Sequence, residues 1–537
     1  MLTSHMIQNH KILMIVDSDA DGYTSSAVLI NYLHNLFPYY VENYITYQMH
    51  EGKQHGIILD KLPKDDDIKL IICADSSSND YEQHKILKEA GIDVLVIDHH
   101  EAERVSEYAC VINNQLCDYP TKSLSGVGMV YKFCSYMDSF FKEEQKYAHK
   151  LLDLVALGEI ADVMDLRDFE TKRIIEKGID NIINPYFKAM VEKNAYSLGS
   201  EITPIGVAFY VAPYINATIR MGNQDEKMLL FESMLNFKAY ELIDSTKRGC
   251  KGQKETRVEQ ACRNCTNIKN KQTKNRDLGL SIIEHLITEN NLLDNKILVV
   301  PIPKEYEIDK NLTGLIANIL MGEYQRPVLL LNSTYHEKDD SYWWEGSARG
   351  CNNSKLEDFK ELSNEIFEVI GYDGGYAQGH ANAFGFGIKA DLLEDFIVLS
   401  NQILDGCDFS TTYKVDFIFQ QNDYEASDIL DIANLKHLWG QGMEEPYIVL
   451  KNIYITPQNI TLMSPDKKPT LKISLPNGIF CIKFKSSQEE FENLLPNQGC
   501  IIIDLIGRCE KNEWCGNITP QILIEDYEIT KVKKYYF

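Results

Sequence analysis

The sequence predicts an α/β protein: two α/β domains joined by a long helical connector, followed by a C-terminal all-β domain. Short apolar runs alternate with helix-length segments in the first hundred residues, and the same alternation returns after residue 290. Buried parallel strands with crossover helices produce this pattern. After residue 408, short alternating segments take over, which is typical of a small barrel or sandwich.

The first domain is predicted over residues 1–200, and three short apolar runs are its strands. These runs are Ile12–Val16, Leu70–Cys73 and Val94–Ile97. Helix-length segments at 25–37 and 81–90 separate them, and a helical pattern at 146–161 follows. Strands that alternate with helices in this way indicate a parallel sheet.

The rest of the chain divides into three predicted regions. Few helix-breaking residues interrupt 225–290, so we expect a helical connector over 201–290. A second α/β domain is predicted over 291–407, and the all-β domain over 408–537. The strands expected in the second domain are Ile297–Pro301, Pro327–Leu331 and Phe384–Ile388.

Composition excludes several classes of protein. Apolar residues make up 44% and charged residues 25% of the chain, which is ordinary globular usage. No run approaches eighteen apolar residues, and residues 1–11 lack the apolar segment of a secretory signal. Thirteen cysteines, an odd number, fit a reducing compartment better than a disulfide framework. We therefore expect a cytoplasmic protein without membrane contact.

Charge gives two opposing indications about nucleic acid. The formal net charge of −25 argues against a polyanionic substrate, because phosphates call for a basic footprint. Residues 247–276, however, contain ten Lys and Arg residues and only two acidic residues, Glu255 and Glu259. The net charge of this stretch is therefore +8. This stretch is either a solvated helix face or a track that guides DNA, and both interpretations stay open. A narrow track predicts binding that weakens steeply with salt.

Acidic residues and histidines follow each of the first three predicted strands. Asp17, Asp19 and Asp21 come after the first strand, Asp75 after the second, and Asp98-His99-His100 after the third. The carboxyl ends of parallel strands meet at one edge of a sheet, so these side chains are expected on one rim. Asp162, at a predicted helix end, is a further candidate.

A divalent metal site explains this cluster better than turns or caps do. A single Asp is usually a cap, but neighbouring carboxylates repel one another and a cation relieves the repulsion. Oxygen-rich sites with imidazoles suit Mn²⁺ or Mg²⁺ better than zinc. Two such ions would stabilise both the attacking and the leaving oxygen of a phosphoester displacement. The residues alone therefore predict metal-dependent phosphodiester hydrolysis.

These motifs resemble the DHH phosphoesterase superfamily, and within it the RecJ-type exonucleases specific for single-stranded DNA. The first four family motifs are similar to Asp17-Ser-Asp-Ala-Asp-Gly22, Asp75, Asp98-His99-His100 and Ala161-Asp162. The second α/β domain carries Gly379-His-Ala-Asn-Ala-Phe-Gly385, which resembles the DHHA1 signature. Residues 438–446 stand where RecJ proteins enter an OB-fold. The resemblance covers nearly the whole chain.

The resemblance assigns a role to each motif residue. The implied metal ligands are Asp17, Asp19, Asp21, Asp75, His99 and Asp162, with Asp75 bridging two ions. His100 would contact the scissile phosphate and Asp98 would orient a histidine, so the catalytic set is Asp75, His100 and Asp98. The implied phosphate-binding residues are Ser347, Arg349, Gly379 and His380, with Arg220 as a further contact. Catalysis is expected between the DHH and DHHA1 domains, with 5′-to-3′ degradation of single-stranded DNA to mononucleotides.

Several features depart from the family pattern or leave alternatives open. Gln378 and Phe384 replace small residues of the DHHA1 signature, which puts the shape of the pocket in question, and only 16 residues precede the first motif. One rival function is a phosphodiesterase for short oligonucleotides or cyclic dinucleotides, and another is a non-enzymatic replication scaffold. We expect a monomer, and a single-strand-binding protein or a helicase is a candidate partner.

Overall fold

A computed structural model describes residues 1–52, 54–65, 67–306, 308–337, 340–351, 356–409, 412–420, 423–496, 499–514 and 516–533. The chain forms two compact units. The first contains Met1–Thr266 together with Val415–Phe537, and the second contains Asn267–Lys414. The all-β region therefore shares a unit with the first α/β domain.

The first domain is built on a five-stranded parallel sheet. Its strands are β1 (Lys11–Val16), β2 (Ile45–Met49), β3 (Ile68–Ala74), β4 (Asp93–Asp98) and β5 (Cys110–Asn113), in the order β2-β1-β3-β4-β5. The three predicted strands are the central three. Because β2 and β3 flank β1 on opposite sides, the strand order reverses at β1, where open parallel sheets form their ligand crevice.

Both faces of this sheet are covered, which explains the continuous apolar runs. Ile12 and Met14 belong to one core cluster, whereas Leu13 and Ile15 belong to the cluster on the other face. The helices are α1 (Leu2–Ile7), α2 (Ala20–Leu36), α3 (Pro38–Tyr44), α4 (Tyr81–Glu89), α5 (Gly126–Asp138), α6 (Leu152–Ala161), α7 (Phe169–Asp180), α8 (Pro185–Lys193), α9 (Ala195–Leu198), α10 (Pro204–Tyr210), α11 (Ala212–Met221) and α12 (Gln224–Met234). Helix α2 is buried almost throughout, since it contacts the sheet, α5 and α6.

The region between the α/β domains is not one continuous helical stretch. A two-stranded hairpin of β6 (Leu242–Asp244) and β7 (Lys254–Thr256) separates α12 from α13 (Arg257–Glu289). Its turn contains Gly249 and Gly252, both at positive φ, which glycine adopts readily. The 33-residue helix α13 begins in the first unit and continues into the second.

The second unit contains a mixed five-stranded sheet. Its strands are β8 (Leu298–Ile302), β9 (Val328–His336), β10 (Ser341–Arg349), β11 (Gly375–His380) and β12 (Ala383–Lys389), in the order β11-β12-β10-β9-β8. The three predicted strands correspond to β8, β9 and β12. The helices are α14 (Thr313–Tyr324), α15 (Phe359–Ile370) and α16 (Leu393–Ile403).

The C-terminal region is a seven-stranded sheet with two helices. The elements are β13 (Phe417–Phe419), α17 (Ala426–Ala433), β14 (Ile448–Ile455), β15 (Ile460–Met463), β16 (Thr470–Ser474), β17 (Phe480–Phe484), α18 (Gln488–Leu494), β18 (Cys500–Trp514) and β19 (Asn517–Lys533). The strand order is β13-β14-β18-β19-β17-β16-β15. All but two of the pairings are antiparallel.

The segment that enters this module docks on the first domain. The backbone N–H of Leu166 donates to the carbonyl of Gln441 at 2.9 Å. Gly442 has a φ of +75°, and a Cβ there would lie 2.0 Å from an Asp165 carboxylate oxygen. The glycine is therefore required by both backbone conformation and close packing. The contacting residues of the first domain, Asp165 and Leu166, lie three and four positions after the predicted ligand Asp162 in the sequence.

Two further expectations can be compared with the structure. No disulfide bond joins any two of the twelve cysteines in the part of the chain that the structure describes. Among the described helices, none has the length and apolar character needed to cross a membrane.

Candidate metal centre

The structure brings together all six residues that the sequence predicts as metal ligands. Asp17 follows β1, Asp75 follows β3, and His99 follows β4. Possible ligand atoms lie within 4.8 Å of one another in three groups. These groups are Asp17–Asp19–Asp75, Asp21–His99–Asp162 and Asp75–His99–His100. Asp75 and His99 each belong to two groups, so the groups form one continuous cluster.

Two of the carboxylates are held by helix N-termini. Asp19 caps α2 and accepts a hydrogen bond from the Gly22 N–H at 2.9 Å. Asp21 accepts from the N–H groups of Gly126 at 2.6 Å and Val127 at 3.0 Å, at the start of α5. The positive end of a helix dipole stabilises such a carboxylate. The N-termini of α2 and α5 therefore orient both side chains before any cation binds.

Asp75 lies on a strained turn at the end of β3. Its φ is +73°, and Ser77 has a φ of +80°, in a region that few residues other than glycine adopt. The Asp75 N–H donates to the Ile97 carbonyl at 2.8 Å, which ties the turn to β4. A Cβ on Gly126 would lie 2.4 Å from the Asp75 Cβ, so only glycine fits beside it. Strain of this kind occurs where function requires a particular side-chain direction.

His99 faces three of the carboxylates. Its Nε2 lies 3.2 Å from Asp75 Oδ1, 3.4 Å from Asp162 Oδ2 and 4.0 Å from Asp21 Oδ2. Burial, together with the neighbouring His100, lowers the pKa of His99 to about 4. The imidazole is therefore neutral near pH 7, which is the form that ligates metals.

Four carboxyls of the cluster are difficult to ionise together. Burial, reinforced by Asp21 and Asp19, raises the pKa of Asp162 to about 8. Burial is also the largest cause of the raised pKa values of Asp19, Asp21 and Asp75. Divalent cations offset this kind of penalty, since they compensate several negative charges at once.

Two buried polar atoms of the cluster that lack hydrogen bonds indicate that these side chains are arranged to bind a divalent cation. Asp75 Oδ1 and His99 Nε2 lie 3.2 Å apart and are both buried, yet neither makes a hydrogen bond, to the other or to another group of the described structure. Unpaired buried polar atoms are costly and uncommon in folded proteins. Carboxylate oxygens with one imidazole are the donors that Mn²⁺ and Mg²⁺ accept.

Asp98 and His100 form a hydrogen-bonded pair next to the cluster. Asp98 accepts hydrogen bonds from His100 Nδ1 at 2.8 Å and from the Ser78 N–H at 3.1 Å. Burial opposes ionisation of both residues, but their mutual hydrogen bond and charge attraction prevail. They raise the pKa of His100 to about 9 and hold the pKa of Asp98 below its usual range. The His100 side chain is 45% exposed, and because Asp98 engages Nδ1, Nε2 is the ring nitrogen left for a ligand.

Sequence reasoning missed three residues around the cluster. His55 Nδ1 donates to Asp17 Oδ2 at 2.8 Å, and the buried His50 Nε2 lies 3.8 Å from Asp17 Oδ1. Both follow β2, a strand that the sequence did not reveal. Glu159 is fully buried and accepts from the N–H of Ser125, the N-cap of α5. Its position in the sequence, three residues before the predicted ligand Asp162, could have indicated that Glu159 lies near the cluster.

The predicted phosphate-binding residues of the second unit lie on neighbouring strands. Arg349 on β10 and His380 on β11 flank Ala383 of β12. Ser347 Oγ lies 2.9 Å from Thr313 Oγ1 at the start of α14. Gly379 has a φ of +134°, which requires glycine. Arg220 is an exposed residue in the last turn of α11, and no hydrogen bond described in the structure joins it to the carboxylate cluster.

The two departures from the DHHA1 signature have different consequences. Phe384 is 4% exposed and packs on Phe359, with ring centroids 5.2 Å apart, so it contributes to the core. Gln378 is exposed and pairs with Gly385, which also pairs with Ser347. Only Gln378 therefore faces the row of predicted phosphate-binding residues.

Family models match two parts of the chain. The model of the DHH family N-terminal domain matches residues 11–159, and the model of the RecJ OB domain matches residues 415–526. Every predicted ligand except Asp162 lies within the first match.

Related proteins cover nearly the whole chain. YorK, from the SPbeta prophage of Bacillus subtilis (strain 168), is named as a single-strand DNA-specific exonuclease. It is 36% identical over 541 residues, which cover 99% of this chain and 90% of YorK. The single-stranded-DNA-specific exonuclease RecJ of B. subtilis is 26% identical over 98% of this chain and 62% of that protein.

Solved structures share the fold. Thermus thermophilus RecJ in complex with Mn²⁺ matches 99% of this chain and 71% of its own, with a TM-score of 0.71 and 16% identity. The Mg²⁺ complex of the same protein matches with a TM-score of 0.64. The fold of this chain is therefore that of RecJ.

Proposed function

Because this chain belongs to the DHH family, among the RecJ-like proteins, we propose that it is a metal-dependent exonuclease acting on single-stranded DNA. The observation that carries the proposal is the buried cluster at the carboxyl ends of β1, β3 and β4. It combines one imidazole with five carboxylates, whose negative charges repel one another. Without a cation, the buried atoms Asp75 Oδ1 and His99 Nε2 also lack a hydrogen bond. The relatives named as single-strand-specific exonucleases support the substrate class.

Two Mn²⁺ or Mg²⁺ ions would be held by Asp17, Asp19, Asp21, Asp75, His99 and Asp162. When bound, such a pair supplies charge stabilisation for the attacking and leaving oxygens of a phosphodiester. The N-termini of α2 and α5 hold Asp19 and Asp21 in place, so little reorganisation is needed. Asp98 orients His100 through Nδ1, and Nε2 of this half-exposed ring would contact the scissile phosphate.

The second unit supplies the grip on the DNA backbone. Ser347, Arg349, Gly379 and His380 present a hydroxyl, a guanidinium, an open backbone and an imidazole on adjacent strands, a set suited to a phosphate. With this grip the enzyme degrades single strands from the 5′ end to mononucleotides. Arg220 is a further contact in the first unit.

The basic stretch 247–276 is a weaker candidate for a DNA track than its charge of +8 indicates. Arg257 forms ion pairs with Glu232 and Glu241, and Arg263 pairs with Glu255. Arg276 contacts Asp277. A DNA contact along this stretch therefore rests on its lysines and on Arg248.

The cellular setting of the proposal follows from its substrate. Single-stranded DNA and cysteines without disulfide bonds both fit the cytoplasm. A single-strand-binding protein or a helicase would be the protein's partner during repair or recombination. We expect the protein to act as a monomer, which light scattering can measure.

The proposal is tested by digestion of single strands labelled at the 5′ or the 3′ end, with a duplex control, in Mn²⁺ and in Mg²⁺. Release of mononucleotides from the 5′ end is expected. Asp75→Ala should abolish hydrolysis and leave the circular dichroism spectrum unchanged. Hydrolysis by this variant at the wild-type rate would contradict the assignment of Asp75 to the metal site.

Two results would favour the rival functions. Cleavage of 3-mers but not 50-mers would favour a phosphodiesterase for short oligonucleotides, and failure to bind Mn²⁺ would favour a non-enzymatic scaffold.

A further inference from the structure

We propose that His55 is a second imidazole, beside His100, that contacts the substrate phosphate through its Nε2. This inference rests on the proposed function and extends the set of substrate-contacting residues. His55 follows β2, whereas His100 follows β4, so the two side chains reach the same rim from strands on opposite sides of β1 and β3.

The two histidines are held in the same manner. His55 Nδ1 bonds to Asp17 Oδ2 at 2.8 Å, and His100 Nδ1 bonds to Asp98 Oδ1 at 2.8 Å. Each aspartate is buried, with 3% and 1% of the side chain exposed, whereas His55 and His100 are 51% and 45% exposed. In both pairs the carboxylate occupies Nδ1, which leaves Nε2 as the nitrogen for a ligand on a ring that is about half exposed.

The two rings are close enough to serve one phosphate group. Their centroids lie 5.2 Å apart, with the planes at 73°. Because Nδ1 of each ring already donates to an aspartate, Nε2 donates as well only when the ring is an imidazolium. Two imidazolium rings at this separation can reach different oxygens of one phosphate, in the way that paired donors clamp an anion. His100 has this role in the proposed function, and the geometry extends it to His55.

The backbone around His55 is fixed rather than free to swing away. The Gly56 N–H donates to Asp17 Oδ1 at 3.3 Å, and the Ile57 N–H donates to Asp80 Oδ2 at 2.8 Å. A Cβ on Gly56, whose φ is +68°, would lie 2.5 Å from Asp80 Oδ2. The loop is thus fastened at two aspartates, and a side chain held on such a loop is suited to close contact with a substrate.

A purely structural role would act through Nδ1 and Asp17, whereas substrate contact acts through Nε2. Two substitutions separate these possibilities. The amide nitrogen of asparagine can take the place of Nδ1 and keep the bond to Asp17, and that of glutamine can take the place of Nε2. We therefore compare His55→Asn with His55→Gln, and use His149→Gln, at an exposed position on a different turn, as the matched control.

The measurements are kcat/KM on single-stranded DNA and the Mn²⁺ affinity of the DNA-free protein by electron paramagnetic resonance. A hydrogen bond to a charged phosphate predicts that His55→Asn lowers kcat/KM by about 10- to 100-fold with Mn²⁺ affinity unchanged. His55→Gln should retain most of the activity, and the control should behave as the wild type.

Three outcomes would overturn the inference. Wild-type kcat/KM in His55→Asn would mean that Nε2 is not used. Loss of Mn²⁺ affinity in His55→Gln, with His55→Asn normal in both measurements, would mean that His55 only orients Asp17. A wild-type protein that binds Mn²⁺ but cleaves no strand would refute the proposed function itself, and the inference with it.

Discussion

Asp162→Asn should stabilise the metal-free protein while it abolishes hydrolysis. Asn has nearly the shape of Asp, and Asp162 Oδ2 contacts His99 Nε2 at 3.4 Å. The substitution therefore replaces an ionisable carboxyl of the cluster by a neutral amide with little change in packing. Residues built for metal binding are commonly unfavourable for the empty fold.

The size of this effect follows from the pKa of Asp162. Burial and two neighbouring carboxylates raise it from 3.8 to about 8. The folded protein thus holds at pH 7 a proton that the unfolded chain has released, so stability falls as pH rises from 3.8 towards 8. The penalty is about 4 kcal/mol at pH 7 and about 1.5 kcal/mol at pH 5. Since Asp21 and Asp19 share the repulsion, we expect a gain of about 1–4 kcal/mol at pH 7.

Calorimetry in EDTA measures this gain, with wild type and variant compared at pH 7 and pH 5. The Tm of Asp162→Asn should exceed that of the wild type at pH 7, and the difference should shrink at pH 5. Saturating Mn²⁺ should reverse the order, because the wild type gains more from the cation. An unchanged or lower Tm in EDTA at pH 7 would refute the argument that the carboxylates repel one another in the empty site.

Three further predictions concern the metal, the packing and the DNA contact. Chelation should abolish hydrolysis, and Mn²⁺ or Mg²⁺ should restore it, as measured by release of labelled nucleotides. Gly128→Ala should lower stability by about 1–3 kcal/mol in calorimetry, since its Cβ would lie 2.0 Å from Glu159 Oε1. Arg349→Ala should weaken binding of single-stranded DNA and reduce the slope of affinity against salt by about 1, as measured by fluorescence anisotropy.

The packing prediction has a control variant, and the metal and DNA predictions each have a result that would contradict them. Gly322→Ala lies in α14, where no atom is within 4 Å of the new Cβ, so it should raise stability by up to about 1 kcal/mol. Restoration of activity by zinc but not by Mn²⁺ would contradict the oxygen-rich site. An unchanged salt slope in Arg349→Ala would remove the arginine from the phosphate contacts.

The sequence alone located the central strands because both faces of the sheet are buried. Continuous apolar runs at β1, β3 and β4 result from that burial, and the residues after them formed the predicted cluster. β2 was missed because it lies at the sheet edge, where Thr46, Tyr47 and Gln48 replace a continuous apolar run. The hairpin at 242–256 was missed because tight turns depend on a few residues inside a stretch that otherwise favours helix.

The sequence by itself determined the chemical identity of the site, since residue types and their positions after strands sufficed to predict a divalent metal cluster. Only the tertiary structure decided which other side chains join it. Parallel pairing of β1 with β2 carries His55 to Asp17, across 38 positions of chain, and packing of α6 against α5 carries Glu159 to Ser125. Such contacts depend on which elements become neighbours in the folded chain, and local sequence patterns do not encode that choice.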